Sequence, residues 1–92
     1  MTHLTKSDLE AQFAPPRPRP ICTIAADIRA DWQKPYFGAV PYLSAMLTLH
    51  NITDSYGCDS ARSILCYFLA NAATWRGETA RRIKTEIKEM IK

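Results

Sequence analysis

Apolar residues recur at helical spacing through most of this chain, and no segment shows the strict apolar–polar alternation of a half-buried strand. Prolines, glycines and polar turns interrupt the helical pattern near residues 34–38, 51–57 and 74–77. The pattern predicts four helices over about 21–33, 40–50, 60–73 and 78–91, and no strand. The expected fold class is all-α, a small four-helix bundle with a proline-rich N-terminal head.

Each predicted helix has an apolar face that a short chain must bury. A chain of 92 residues has a thin core, because a domain of this size removes only about 60–65% of its unfolded surface from water. The second helix is apolar on two sides, which is typical of a helix packed between neighbours or at an interface. The residues expected in the core include Ile21, Ile24, Ala25, Ile28 and Trp32 from the first helix, Ala61, Ile64, Leu65, Phe68, Leu69 and Ala72 from the third, and Ala80, Ile83, Ile87, Met90 and Ile91 from the fourth.

The ends of the helices carry recognisable residues. Asp59 or Ser60 is expected to cap the third helix, since short oxygen-bearing side chains accept hydrogen bonds from first-turn amides. Gly77 suits the left-handed position that follows the C-terminus of a helix. Cys66, within the apolar third helix, is expected to be a small buried residue.

Residues 1–20 differ from the rest and form the predicted N-terminal unit, with the helical bundle over 21–92. Residues 1–13 are compatible with one short helix, while 14–20 (APPRPRP) contains four prolines that exclude both helix and central strand. This segment is expected to adopt a polyproline-II-like conformation. A stiff tether is the favoured interpretation, and a recognition motif is the alternative.

Positive charge is concentrated near the C-terminus. The net charge is +3, and residues 76–92 hold six Lys and Arg against three Glu. Arg81, Lys84, Lys88 and Lys92 lie on one face of the predicted fourth helix, and Arg76 precedes it. A row of cations can contact phosphates, although charges on an exposed helix usually serve only solvation. On a neighbouring face, the sequence predicts i,i+4 ion pairs that join Arg82 to Glu78 and to Glu86.

Aromatic residues cluster between the first two helices. Trp32 continues the core face of the first helix, whereas Tyr36 and Phe37 lie in a short link beside Gly38. Binding hot spots are rich in aromatic residues and arginine, so these two rings are candidates for contact with a partner. The alternative is that they cover the open end of the bundle.

Signatures of enzymes and cofactors are nearly absent, so the chain is not expected to be an enzyme or to hold a cofactor or metal. Cys22, Cys58 and Cys66 are too sparse for a zinc site, and neither a G-x-S-x-G motif nor a glycine-rich phosphate loop occurs. The three cysteines are expected to be free thiols in a reducing compartment. No signal peptide and no apolar run of about 20 residues is present, so cytoplasmic localisation and no membrane association are expected.

Several segments resemble short, functionally unassigned proteins of bacteriophages, prophages and plasmids. They are residues 28–32 (IRADW), 36–43 (YFGAVPYL) with 45–46, 59–64 (DSARSI), 67–72 (YFLANA) and 75–84 (WRGETARRIK), within a similarity that covers roughly 24–88. The resemblance implies a mobile element in a bacterial host cell and no particular activity. Small phage proteins of this kind often bind and block a host machine, as anti-CRISPR and anti-restriction proteins do.

The sequence therefore favours a non-enzymatic module that binds a host protein or ribonucleoprotein complex and blocks or redirects it. The expected contact residues are Arg76, Arg81, Lys84, Lys88, Tyr36 and Phe37. One alternative is an accessory or regulatory protein that binds nucleic acid through the fourth helix. A homodimer joined through the two-sided second helix is compatible with either function.

Overall fold

A computed structural model describes residues 19–92 of the chain. Within this part the chain is mostly helical, and a very short antiparallel hairpin joins the second and third helices. In chain order, the elements are α1 (Ile21–Asp31), a 3₁₀ turn (Phe37–Ala39), α2 (Val40–Met46), β1 (Ser55–Tyr56), β2 (Asp59–Ser60), α3 (Ala61–Ala70) and α4 (Glu78–Met90). The predicted helix over 1–13 and most of the proline-rich segment lie outside the described residues.

The start of α1 is held by backbone groups from the turn after α2. The first amides of a helix have no partner within the helix. Here the amides of Ile21 and Cys22 donate to the carbonyl oxygens of His50 and Leu49, at 2.9 and 2.8 Å. The helix stops at Asp31, four residues before Pro35, a little earlier than the predicted end at residue 33. The chain entering α1 is therefore fixed against the segment that leaves α2.

Helix α2 is shorter than the sequence predicts. It ends at Met46 instead of residue 50, and tighter bonds of the i→i+3 kind follow, from Thr48 N to Ala45 O and from Leu49 N to Met46 O. The Thr48 hydroxyl also donates to the Ala45 carbonyl at 2.7 Å. Because the helix ends early, the carbonyls of residues 49 and 50 face α1 and accept its first amides. This long-range contact replaces the longer helix that the apolar spacing predicts.

The prediction that no strand forms is wrong for one short segment. Ser55 pairs with Ser60 and Tyr56 with Asp59 in an antiparallel hairpin. Gly57 supplies the positive φ of 62° that the two-residue turn requires. Strands of two residues are too short to show the alternation by which a strand is recognised in sequence.

The ends of α3 are only partly as predicted. Ser60 is the cap, and its hydroxyl oxygen accepts the Ser63 amide at 3.1 Å. Gly77 has a positive φ of 113°, but it precedes α4 as its N-cap and does not follow α3, which ends at Ala70. The prediction for Gly77 is therefore wrong in role. Cys66 is exposed, because it lies on the face of α3 opposite the core.

The core confirms the predicted faces of α1, α3 and α4. Helix α1 packs against α2 and α4, and α3 packs against the same two helices. Trp32 and Trp75 stack with ring centroids 5.7 Å apart, and the Phe68 ring meets both edge-on at 6.3 Å. The fully buried large side chains are Phe68, Ile21, Ile24, Ile28, Met46, Leu49, Leu65, Ile83 and Ile87. Leu69, Met90 and Ile91 are only partly buried at the edge of this core.

Among the described residues, no helix has the length and apolar character needed to cross a membrane.

Candidate interaction surface

Trp75 organises the surface that the sequence identified at the C-terminus. It lies in the link between α3 and α4 and is 2% exposed. Its indole N–H donates to the Asp31 carboxylate at 2.8 Å, at the end of α1. The ring therefore joins α1, α3 and the link, and it fixes the course of the chain immediately before Arg76.

Lys84 is a structural residue as well as a cation. Its Nζ donates to the backbone carbonyl of Trp75 at 2.7 Å and lies 5.9 Å from the centroid of the Trp75 ring. Partial burial lowers the pKa of Lys84, and repulsion from the nearby Lys88 and Arg76 lowers it further. The Lys84 side chain is thus half-buried and hydrogen-bonded to the backbone, whereas the sequence placed it in a row of exposed cations.

Arg76, Arg81 and Lys88 are exposed around this lysine. An open cleft of about 280 Å³ is lined by Trp75, Arg76, Gly77, Ala80, Arg81 and Lys84. Within residues 19–92, none of the cations Arg76, Arg81 and Lys88 forms an ion pair with a carboxylate. Arg76, Arg81 and Lys84 therefore lie together beside the Trp75 link, and Lys88 is exposed further along α4. We call the cleft lined by these first three cations the basic cleft.

The predicted row of cations is only partly free toward the C-terminus, where Lys88 forms no ion pair within residues 19–92 but Lys92 does. Lys92 pairs with Glu89 at 3.1 Å, so the row of cations predicted by the sequence does not extend to the last residue as free charge. In the described part of the chain, the predicted ion pairs of Arg82 with Glu78 and Glu86 do not form. Glu86 forms an ion pair with Arg19 instead.

Arg19 makes the strongest ionic contacts in the described residues. Its Nε and Nη2 donate to the two oxygens of Glu86 at 2.9 and 2.8 Å, and Nη1 donates to Asp27 at 2.6 Å. These bonds, with Glu86 first, raise the pKa of Arg19 above its already high value. The contact joins α1, α4 and the end of the proline-rich segment. Residues 19 and 86 are 67 positions apart, so no sequence signal identified this pairing.

Tyr36 and Phe37 form a second surface, which we call the aromatic pair. Their ring centroids are 4.7 Å apart, and the side chains are 44% and 79% exposed. Gly38 allows this arrangement, because a Cβ atom there would lie 2.6 Å from Cε2 of Tyr36 and 2.7 Å from Oδ1 of Asn71. Tyr36 also lines a small cavity of about 170 Å³ with Ala70, Asn71, Ala73 and Thr74.

The two surfaces do not share a cavity. The cavity beside Tyr36 is lined by residues between 70 and 74, and the lining of the basic cleft begins at Trp75. No residue lines both. Of the six predicted contact residues, three line the basic cleft and two form the aromatic pair, while Lys88 is exposed on α4 and lines neither cavity.

A third cavity, of about 310 Å³, was not identified from the sequence. It is lined by Arg19, His50, Asn51, Ile52, Thr53 and Met90. Its walls come from the N-terminal segment, the turn after α2 and the end of α4, so only the folded chain brings them together.

The described His, Cys, Asp and Glu side chains do not cluster as metal ligands do. Residues 19–92 have no group of three such side chains positioned to hold a metal ion. Cys22 is partly buried, Cys58 and Cys66 are exposed, and none forms a disulfide within this part.

Comparisons of the chain with protein-family models, with curated proteins and with solved structures found no match.

Proposed function

We propose that this chain is a non-enzymatic helical-bundle module that binds a host protein or ribonucleoprotein complex and blocks or redirects it. On the basis of its resemblance to phage and plasmid proteins, it would act in the cytoplasm of a bacterial host, where a defence system is one candidate target. The contact surface would combine Arg76 and Arg81 of the basic cleft, and Lys88 further along α4, with the aromatic pair.

The exposure of Phe37 carries this proposal. A domain with a thin core gains by burying every large ring, at about 25 cal/mol per Å² of apolar surface. Phe37 is nevertheless 79% exposed, and it stands beside the half-exposed Tyr36 and one turn before Val40, which is 44% exposed. Adjacent exposed aromatic residues are typical of binding hot spots. A partner that covers Phe37 would supply the burial that its own core does not.

The nearby cations complement this apolar contact. Arg76, Arg81 and Lys88 are exposed and lack an ion pair within the described residues. Rim charges mainly direct encounter and specificity, while buried aromatic residues supply most of the affinity. The expected partner therefore has an apolar recess beside an acidic region.

Capture from a bacterial lysate, compared between matched variants, tests this function. Phe37→Ser should abolish capture of the host complex that the unchanged protein retains. Tyr56→Ser is the control, because Tyr56 is 47% exposed on the hairpin and lines neither the basic cleft nor the cavity beside Tyr36. A complex retained equally by Phe37→Ser would show that the aromatic pair is not the contact.

A charge-reversal pair tests the contribution of the exposed cations of α4. Arg81→Glu with Lys88→Glu should prevent capture while the circular dichroism spectrum stays unchanged. Arg29→Glu with Lys34→Glu changes the net charge equally at exposed positions of α1 and the link after it. Lys84 is left unchanged because its Nζ donates to the Trp75 carbonyl. A loss of capture after its replacement could therefore come from a disturbed fold as well as from a lost contact. Equal losses in both double variants would mean that only net charge matters.

Nucleic-acid binding through α4 is the second candidate, and it is favoured by Arg76, Arg81 and Lys88, which form no ion pair within residues 19–92. Neutralising phosphates releases counterions, so affinity for duplex DNA would fall steeply as salt rises. Titration of a generic duplex at two salt concentrations separates the two functions. Binding with a steep salt dependence would support this second candidate. Absence of binding at low salt would eliminate it.

A homodimer through α2 is compatible with both functions. Leu43 and Met46 are buried within the chain, so only Val40 and the half-buried Tyr42 and Leu47 remain for a second copy. Sedimentation of the purified protein tests this: a monomer at all concentrations excludes an obligate dimer.

A further inference from the structure

We infer that the basic cleft binds a phosphoryl dianion, the terminal group of a phosphate monoester. The inference rests on the proposed function for the surface involved and adds the chemistry of the group that the surface receives.

The lining of the cleft has the composition of an anion site. Arg76, Arg81 and Lys84 line it together, and no carboxylate does. Glu78 begins α4 but is not part of the lining. Burial lowers the pKa of Lys84, and repulsion from Lys88 and Arg76 lowers it further. A bound anion would relieve this repulsion.

The donors suit a dianion better than a single carboxylate. Each guanidinium presents a planar fork of N–H donors, which matches two oxygens of a phosphate or a carboxylate. Lys84 has three donors and uses one on the Trp75 carbonyl, so two remain. Two guanidinium groups and an ammonium group offer more charge and more donors than one carboxylate can satisfy, whereas a phosphoryl group has two charges and three terminal oxygens.

The size and position of the cleft favour a compact anion over an extended polyanion. Its volume of about 280 Å³ lies just below the range of roughly 300–1,000 Å³ for sites that enclose drug-sized ligands. Lys88, further along α4, is exposed but does not line the cleft, and Lys92 is paired with Glu89. The buried ring of Trp75 supplies an apolar wall but leaves no exposed face for stacking of a base. The site therefore recognises a phosphoryl group rather than a nucleobase or a long backbone.

Titration of the full chain with inorganic phosphate, followed by amide NMR spectra, tests the inference. Saturable shifts should be confined to Arg76, Gly77, Ala80 and Arg81. Chloride at equal ionic strength should not reproduce them. Binding should also raise the pKa of Lys84 toward its usual value, because an anion stabilises the ammonium form. Shifts spread over all basic residues, or reproduced by chloride, would overturn the assignment.

Matched variants on α4 locate the site. Arg81→Gln should weaken phosphate binding about tenfold, which corresponds to the loss of one charge-assisted hydrogen bond. Arg82→Gln removes an equal charge from the neighbouring exposed position, which does not line the cleft, and should leave the affinity unchanged. Equal weakening by the two variants would refute a site at the cleft.

Two further probes distinguish the sources of the anion and the two proposals. A nucleoside monophosphate should bind at least as tightly as inorganic phosphate, whereas a duplex with hydroxyl ends should not compete. Tighter binding of that duplex would make this a diester site and overturn the inference. If phosphate fails while capture of the host complex still depends on Arg81 and Lys88, the proposed function stands without the phosphoryl site. If phosphate binds while capture does not depend on Arg81 and Lys88, the phosphoryl site stands and the proposed role of these cations in binding a host complex fails.

Discussion

Replacement of Trp75 by Phe is the most informative perturbation of this fold, because one side chain joins three elements. The indole stacks on Trp32, meets the edge of Phe68 and donates to Asp31 at 2.8 Å. Trp75→Phe keeps an aromatic ring but removes the donor and part of the buried surface. The side chain is 2% exposed, so nearly all of the lost surface is buried.

The expected loss follows from these contacts. Aromatic side chains bury about 150–250 Å² each, so the smaller ring forfeits on the order of 50–80 Å², or about 1–2 kcal/mol. The hydrogen bond to a carboxylate contributes about 1 kcal/mol more, at the low end of the usual range because Asp31 is exposed. The free energy of unfolding should fall by about 2–3 kcal/mol. A domain of this length typically has only about 5–14 kcal/mol in total.

Urea denaturation followed by far-UV circular dichroism measures this change. The midpoint should shift to lower urea with an unchanged slope, since the surface exposed on unfolding is nearly the same. Asp31→Asn is the control: it retains an acceptor oxygen and should lose less than about 1 kcal/mol. A Trp75→Phe variant within about 0.5 kcal/mol of the unchanged protein would refute the claim that this ring joins the three elements.

Three further perturbations test local features. Ser60→Ala removes the cap of α3 and should lower the free energy of unfolding by about 1 kcal/mol in urea denaturation, whereas Ser44→Ala, at an exposed position of α2, should have little effect. Gly38→Ala should lower the free energy of unfolding by only about 1 kcal/mol, because the side chains of Tyr36 and Asn71 can move aside. The displaced Tyr36 ring should nevertheless weaken capture of the host complex, and unchanged capture would contradict this. Backbone hydrogen bonds from the turn before Asp54 lower the pKa of its carboxyl below 3.8, so its contribution to stability is present above that pH and is lost as the pH falls through the lowered value. Asp54→Asn should flatten the acid limb of a pH–stability curve, and an unaltered limb would exclude this role.

Periodicity in the sequence was sufficient for the helices and for most of the core. The apolar faces of α1, α3 and α4 were predicted because an amphipathic helix has one way to bury its face, and that face can be read from spacing alone. Trp32 and Ser60 were predicted for the same kind of local reason: the first continues an apolar face, and the second sits at a helix start. These features need only neighbouring residues, and they are confirmed.

Features that depend on partners far along the chain were missed. Helix α2 ends early where the carbonyls of Leu49 and His50 meet the start of α1. Glu86 pairs with Arg19 rather than with Arg82 one turn away. Cys66 was expected to be buried because its helix is apolar as a whole, but it lies on the face of α3 opposite the core and is exposed.

The candidate site shows the same division. The sequence by itself determined which side chains are available: cations on one face of α4 and adjacent rings beside Gly38. Only the tertiary structure decided that Lys84 is bound to the Trp75 carbonyl, that Arg76 and Arg81 share a cleft with it, and that Phe37 stays in solvent. The physical reason is that helix formation and amphipathicity follow from residues within a few turns. Burial, ion pairing and the lining of a cleft depend instead on which distant surfaces meet.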